Sequence, residues 1–545
     1  MSGQAETNEP RSQPVRPGSD KDAGASTKIS KKPLSFWLSF VALNITVFIV
    51  SLDSTALAVA VPRITQDLHG TTLEAFWTNL SFILAIVVTQ PIYITISDIL
   101  GRKIPLYVAF LLFFVGSIVF GVAKSMPVFV MGRILQGLGG GGLDVLSEII
   151  LADITSLKER PLYLGLYALP MAGGGVCGPI IGAAFSEFVD WRWIGWINLP
   201  IIAIGVVLAF FFLHLRHMDS TFRSKLRRLD WNGMLLFTIG STTFALPLSW
   251  GGTMYPWSSW KTILPLMIGA IFLVGFGIYE SKPAEPVFPY RVFRNRTAVA
   301  TLIGSAAHGA ILYSIMLYAP LFFQAVMLET PFRSGVSVLP TSACTVAFSI
   351  IGVITVEIVR RYRWGIIASS LCMTLGVGLW ALWRNSSSKV LLYGFQVIAS
   401  IGVGTLFTIL TIPMTASVQQ VDDMGIAAGI LVSFRLFGAL VGLATCSSVF
   451  SNVFEQHITA IGTLPPSIEI LKDVREAIGF VPALRTLDVP PSILKLVIEA
   501  YRASIMAVFL VLAAIGAVGL IASLFIRELT IEKEALGRQQ FEKSS

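Results

Sequence analysis

Fourteen long apolar runs constrain this chain more than any other feature. They lie near 36–61, 75–97, 105–123, 127–151, 162–185, 194–213, 231–250, 262–279, 299–323, 336–357, 364–383, 390–413, 427–449 and 505–526. Each approaches the roughly 20 apolar residues that a helix needs to cross the hydrocarbon core of a bilayer. Polar residues, proline or charge separate adjacent runs. No strand-period alternation competes, which excludes a barrel. The predicted fold class is therefore an all-α polytopic membrane protein with fourteen transmembrane helices. Composition agrees: 13% of residues are charged, about half the share of a soluble domain. That excludes a soluble enzyme, a disordered protein and a nucleic-acid-binding domain. The net charge of +8 does not reinstate the last, because the basic residues lie between apolar runs and form no stripe. Cys177, Cys344, Cys372 and Cys446 sit inside apolar runs and imply no disulfide framework.

An even number of spans places both termini on one side. With the N-terminus inside, the inner segments carry 26 Lys and Arg residues against 12 outside. The positive-inside rule then predicts two cytoplasmic termini. Residues 1–33 are rich in Ser, Pro, Gly and charge and read as a disordered tail, not a signal peptide. The basic connections 214–230 and 281–298 mark boundaries. They predict a six-helix bundle over 36–213, a cytoplasmic linker over 214–230, an inserted helix pair over 231–279, a cytoplasmic loop over 281–298 and a second six-helix bundle over 299–526. A long outer segment, 450–504, is too polar to span and predicts short amphipathic helices at Ile468–Ile478 and Ile493–Tyr501. Residues 527–545 form a charged inner tail, and the sequon at Asn385 falls in a predicted outer loop.

Charges inside spans cost several kcal/mol and are functional hypotheses by default. Asp53 lies in the first span; Arg133, Asp144 and Glu148 lie in the fourth; Arg435 lies in the thirteenth. The spacings from Arg133 to Asp144 and from Asp144 to Glu148 place all three on nearly one side of a helix. Such a row fits a water-filled path in which a carboxylate loads and releases a proton. It also fits a fixed Arg–Asp pair that locks helices together. The carrier stays open among Asp53, Asp144 and Glu148, with Arg133 a fixed partner, since Arg does not deprotonate. At the inner end of the second span, Asp98, Gly101, Arg102 and Lys103 predict a gating loop with Asp153 as the partner of Arg102. Gly174, Gly178, Pro179 and Gly182 form a small-residue row that lets helices approach closely. No Gly-Lys dipeptide exists anywhere, so a phosphate-binding loop and intrinsic ATP drive are absent. No metal-ligand spacing occurs and no cofactor is expected. His308, the one histidine inside a span, reads as a core residue.

Taken together and in order, these motifs resemble the major facilitator superfamily, and within it the fourteen-span drug:proton antiporter branch of fungal toxin and multidrug efflux pumps. The resemblance begins near residue 36 and covers nearly the whole chain. It rests on Leu52-Asp53-Ser54-Thr55 through Val61-Pro62, on Ser97-Asp98 through Gly101-Arg102-Lys103, and on Gly132-Arg133-Ile134-Leu135-Gln136-Gly137. It rests also on Gly174-x-x-x-Gly178-Pro179-x-x-Gly182, on Trp191-Arg192-Trp193 with Asn198-Leu199-Pro200, and on Phe434-Arg435 with Gly438. Leu229-Asp230-Trp231 and Trp250-Gly251-Gly252 resemble the inserted pair of fourteen-span members. The chain departs from the pattern at Ile94 and Ile99 in the loop motif, at Ala183, and at Gly195, where a Phe is usual.

The resemblance implies a proton-coupled pump that exports small amphipathic organic molecules, such as a toxic secondary metabolite, by alternating access, with Arg133 implicated in proton transfer. The alternative within the same fold is an importer or vacuolar carrier of basic amino acids or iron chelates. A non-transporting receptor is a further reading. A cavity for such molecules is apolar with few polar anchors; Gln136, Asn198, Tyr318, Phe322, Gln324, Phe407 and Arg435 are the candidates for its wall. The expected partners are the small-molecule substrate, protons and the lipid bilayer, with no nucleic acid. The expected state is a monomer in the cell membrane.

Overall fold

The computed structural model describes residues 32–155, 160–215, 230–251, 255–283, 287–288, 290–418, 423–462 and 464–529. The predicted tail 1–33, the linker 214–230 and the tail 527–545 fall almost wholly outside these. The helices are α1 Leu34–Asp67, α2 Thr72–Leu100, α3 Lys103–Gly121, α4 Met126–Ile154, α5 Arg160–Phe188, α6 Trp193–Trp196 and α7 Asn198–Phe212. Next come α8 Trp231–Trp250, α9 Trp260–Tyr279, α10 Tyr290–Phe293, α11 Arg296–Ala325, α12 Pro331–Ser337 and α13 Leu339–Val359. The chain continues through α14 Arg363–Trp380, α15 Lys389–Ile409, α16 Thr411–Ala416, α17 Asp423–Ala460 and α18 Pro491–Ser523. No strand occurs among the described residues. Among the described residues, thirteen helical stretches are long and apolar enough to cross a membrane. The eleventh run also folds as a helix, α14, but it opens on Arg363 and is not among the thirteen.

Helices α1 to α7 pack as one group, with α1 against α5, α7 and α4, and with α4 against α2 and α3. Helices α11 to α18 form a second group in which α11 packs on α17 and α18, and α15 on α13 and α14. The hairpin α8–α9 leans on α2 and α17, the two helices that also join the groups to each other; α5 with α12 and α13 forms the other seam.

Glycine rows decide which helices touch. A Cβ on Gly178 would lie 1.9 Å from Thr55 Oγ1, and one on Gly182 would lie 1.9 Å from the Ala56 carbonyl oxygen. Gly174, Gly178 and Gly182 therefore bring α5 against α1 backbone to backbone, and Thr55 Oγ1 donates to the Gly174 carbonyl at 3.1 Å. The second group repeats the device with Gly309, Gly438 and Gly442 between α11 and α17. Two departures from the family pattern find a steric reason. Gly195 makes room for Phe120, which a Cβ there would approach to 2.5 Å. Ile94 is buried against Gly429 of α17, where a Cβ would sit 2.9 Å from the Ile94 Cδ1.

The segment predicted as an outer loop is mostly structured. Residues 450–460 continue α17, and Ile493–Tyr501 is the opening of α18. Only 464–487 leaves the bundle, as 3-10 turns at Pro466–Lys472, Val474–Glu476 and Val481–Thr486. The prolines at 465, 466, 482, 490 and 491 and the short apolar periods favour such turns over an α-helix at Ile468–Ile478. We call this the cap end. The start of α1 and residues 524–529 lie at the opposite end, here called the tail end, where Ser39 Oγ donates to the Phe212 carbonyl at 2.8 Å and Arg527 N to Thr297 Oγ1 at 3.2 Å.

Candidate functional site

The charged residues inside the bundle separate into two sites of different character. In the first, Asp53 of α1 and Arg133 of α4 are 1% and 0% exposed and form an ion pair through Asp53 Oδ2 and Arg133 Nη1. Asp53 Oδ1 accepts from Asn198 Nδ2 at 2.9 Å and from Gln136 Nε2 at 3.2 Å. Gln136 Oε1 accepts from Arg133 Nη1 at 2.8 Å, and its amide donates to Ser117 Oγ at 3.0 Å. Arg133 Nε donates to the Thr78 carbonyl at 3.2 Å, and the guanidinium lies over the Phe82 ring at 4.0 Å. This network ties α1, α2, α3, α4 and α7 together inside the first group. Its residues do not line the cavity between the groups.

The second site faces the other group. A cavity lies between α1, α2, α4 and α5 on one side and α11, α13, α15 and α17 on the other. Asp144 is the charged residue in its wall. Gln90 Nε2 of α2 donates to Asp144 Oδ2 at 2.9 Å, while Gln90 Oε1 accepts from Ser433 Oγ of α17 at 3.2 Å. One buried amide thus links an acid of the first group to a hydroxyl of the second. Glu148 lies one helical turn beyond Asp144. Arg435 of α17 is the cation whose field reaches both acids. Its Nη2 donates to the Phe407 carbonyl at 2.7 Å, and its guanidinium lies over the Phe407 ring at 4.3 Å. Tyr167 of α5 completes the site through its hydroxyl, 2.6 Å from Ser147 Oγ.

The row Arg133, Asp144, Glu148 is thereby divided. Eleven residues of helix span about 16 Å along the axis, enough to place its two ends against different neighbours. Of the predicted wall residues, Phe407 lines the cavity. Gln136 and Asn198 belong to the Asp53 network. Tyr318 packs between Phe76 and Phe450, and Phe322 packs at a tilt against Trp383, ring centroids 5.0 Å apart. Gln324 is at the cap end, where its amide donates to the Val59 carbonyl and to Ser334 Oγ, both at 3.1 Å. Gln90, Tyr313, Met316, Ser342, Thr345 and Ser433 escaped the sequence reading. The amide of Gln90 inside an apolar run was a readable signal; the others were not distinguishable from ordinary helix residues.

At the tail end, Gly101 adopts φ +90°. Arg102 Nε lies 3.1 Å from Asp153 Oδ2, and Arg102 Nη1 donates to Ser97 Oγ at 2.6 Å. The side chain of Asp98 is outside the described residues. Lys103 opens α3, and Asn385 is in an exposed turn. Beneath the hairpin, Asp230 caps α8 by accepting from Gly233 N, and Glu280, just past α9, accepts from Phe288 N. Asp230 Oδ2 and Glu280 Oε2 are buried with no hydrogen-bond partner among the described residues. Burial pushes the Glu280 carboxyl up to about 7; the nearby Asp230 adds to this and the Phe288 N–H opposes it. No group of three or more metal-ligating side chains occurs among the described residues.

The Major Facilitator Superfamily profile matches residues 43–443. The chain is 44% identical over 516 residues to the MFS-type transporter sphD of Aspergillus fumigatus, across 94% of this chain and 89% of that one. It is 34% identical over 508 residues to the efflux pump FUS6 of Gibberella fujikuroi, across 93% of this chain and 91% of that one. Among solved structures, a bacterial homologue of the human lysosomal transporter Spinster, inward-facing and occupied, aligns with a TM-score of 0.58 at 14% identity, across 90% of this chain and 98% of that one. That last likeness speaks to the fold alone. With two helical groups around a shared cavity and sequence kinship along most of its length, this chain belongs to the major facilitator superfamily and is a multi-pass membrane transporter, not an enzyme.

Proposed function

We propose that the protein is a proton-coupled efflux carrier that exports a small amphipathic organic molecule through alternating access of the cavity between α1–α7 and α11–α18. The observation that carries this is Asp144: an acid in the cavity wall, tied by Gln90 to Ser433 of the opposite group. An acid in that position is both a proton site and a cross-group fastening. Protonation of Asp144 or Glu148 removes the charge that attracts Arg435 and loosens the α2–α17 seam. Substrate in the cavity favours the other arrangement, as coupling requires. Asp53 and Arg133 have the fixed-pair role, holding the first group as a unit. The name of FUS6, an efflux pump, supports export over import.

A proton moving down ~100 mV releases about 2.3 kcal/mol. One pH unit adds about 1.4 kcal/mol. Together these support a gradient of roughly 500-fold for a neutral substrate at one-to-one coupling. We further propose that residues 36–213 and 299–526 are two six-helix halves with 231–279 inserted between them. In this reading both termini are cytoplasmic in a cell-membrane monomer, and Asn385 faces outside. The experiment is transport in sealed vesicles under an imposed pH gradient. Efflux that persists undiminished after both the pH gradient and the membrane potential are collapsed refutes the coupling.

A further inference from the structure

The cavity is not uniform. One side is apolar: Val47, Val50, Ile86 and Leu436. The other carries hydroxyls on α11 and α13, namely Tyr313, Ser342, Thr345 and Ser349. Side chains at 342, 345 and 349 share one face of α13, since they are three and four residues apart. Their hydroxyls are not equivalent. Ser349 Oγ is spent on the Val346 carbonyl at 2.7 Å. On the facing helix α1, Ser51 donates to the Met171 carbonyl, Ser54 to the Val50 carbonyl, and Thr55 to the Ser51 and Gly174 carbonyls. The hydroxyls of Tyr313, Ser342 and Thr345 make no hydrogen bond to any described residue, although all three residues line the cavity. Three donors therefore stand open beside a largely apolar space.

The charges narrow the ligand further. Asp144 is the charged group in the cavity wall, so an anionic ligand meets a like charge in a low-dielectric space. A cation finds Asp144 already engaged by Gln90 and within the field of Arg435. The guanidinium of Arg435 is itself held by the Phe407 carbonyl and ring. The hydroxyls on α11 and α13 are then the polar groups that a neutral ligand meets.

We propose that Tyr313, Ser342 and Thr345 are specificity-determining residues that select an uncharged, largely apolar ligand with hydrogen-bond acceptor oxygens along one edge. Ser342 and Thr345 are about 4.5 Å apart along the α13 axis, and Tyr313 approaches from α11. The ligand's carbonyl or ether oxygens face these three, and its hydrocarbon edge faces Val47, Val50 and Ile86. An analogue without acceptors leaves the donors unpaired and is rejected on that account, a stronger discrimination than apolar contact alone provides. This inference rests on the cavity being the substrate site proposed above. It does not depend on the proton coupling.

The test uses the purified full-length protein in lipid nanodiscs, with thermal stabilisation as the binding signal. The probes are Nile red (neutral, with acceptor oxygens), diphenylhexatriene (neutral, without acceptors), rhodamine 6G (cationic) and carboxyfluorescein (anionic). Nile red is expected to stabilise the protein at the lowest concentration, at least tenfold below the other three. Tyr313→Phe and the Ser342→Ala/Thr345→Val pair are each expected to weaken Nile red at least tenfold, about 1.4 kcal/mol. Their unliganded melting points should match that of the parent. Thr355→Ala, on α13 but outside the cavity wall, is expected to leave Nile red binding unchanged. Equal binding of diphenylhexatriene and Nile red overturns the proposal. So does tightest binding of rhodamine 6G that is lost in Asp144→Asn, or Nile red binding that all the hydroxyl variants retain. Normal probe binding without gradient-driven flux in vesicles refutes the efflux reading and leaves this selection intact.

Discussion

A buried charge acts according to what surrounds it, and the two acids Asp53 and Asp144 illustrate the difference. Asp53 receives a guanidinium and two side-chain amides, and is enclosed. Removing one partner of such a pair strands the other charge, at a cost of about 3–5 kcal/mol. Arg133→Leu should therefore cut the yield of folded protein sharply, and Asp53→Asn should lower the melting temperature, both seen by size-exclusion chromatography with thermal scanning. Asp144 has one amide and a cavity. Asp144→Asn should keep the fold and ligand binding while lowering gradient-driven efflux at least tenfold in vesicles. Glu280 provides a third residue-scale case at the tail end. Its carboxyl is raised to about 7 in the folded protein, against about 4.3 in an unfolded chain. The folded state thus holds the proton more tightly. The stabilisation is complete below about pH 4 and is lost as pH rises through about 7. Glu280→Gln should flatten the fall in melting temperature between pH 5 and 8.

At the scale of elements, contact is decided by missing side chains more than by large ones. Gly182 places α5 on α1 where a methyl group would lie 1.9 Å from a carbonyl oxygen, whereas Gly275 on α9 has nothing within 4 Å. Gly182→Ala should therefore lower thermal stability by several degrees, and Gly275→Ala should leave it unchanged or raise it. The helices themselves were legible from sequence because apolar length is a property of consecutive residues. The glycine row was legible for the same reason. A fixed Arg–Asp pair was one of two readings, and which acid Arg133 meets stayed open, because 80 positions separate it from Asp53 and spacing carries no information across that distance. Cavity membership was the least legible. In helices apolar on every side, periodicity does not tell which face meets the opposite group, so Tyr318 and Phe322 were indistinguishable from Tyr313 and Met316. Gln90 was overlooked because an amide brings no charge to a hydropathy count, although it bonds to both groups.

Over the whole molecule, the two groups meet through unlike seams. The α2–α17 seam holds the Gln90–Ser433 bond and the Ile94–Gly429 contact. The cap end is closed by Gln324 on the Val59 carbonyl, by Phe332 N on Glu187 and by Phe188 against Phe332 at 5.5 Å. Segment 464–487 spans this closure: Ile478 N donates to Thr72 Oγ1, and Arg485 Nη1 donates to the Glu329 carbonyl. Gln324→Leu with Arg485→Ala should shift the population toward an arrangement open at the cap end. With the four native cysteines replaced and Ala319→Cys added, an impermeant maleimide applied from that side should label the double variant several-fold faster than its parent.

Because segment 464–487 is fastened to both groups in the closed arrangement, its shape reports on the position of both. An antibody fragment raised against the folded segment would read that conformation as an epitope. Holding it would jam the rocking motion from the surface, giving a route to inhibition that needs no molecule to compete for the greasy interior.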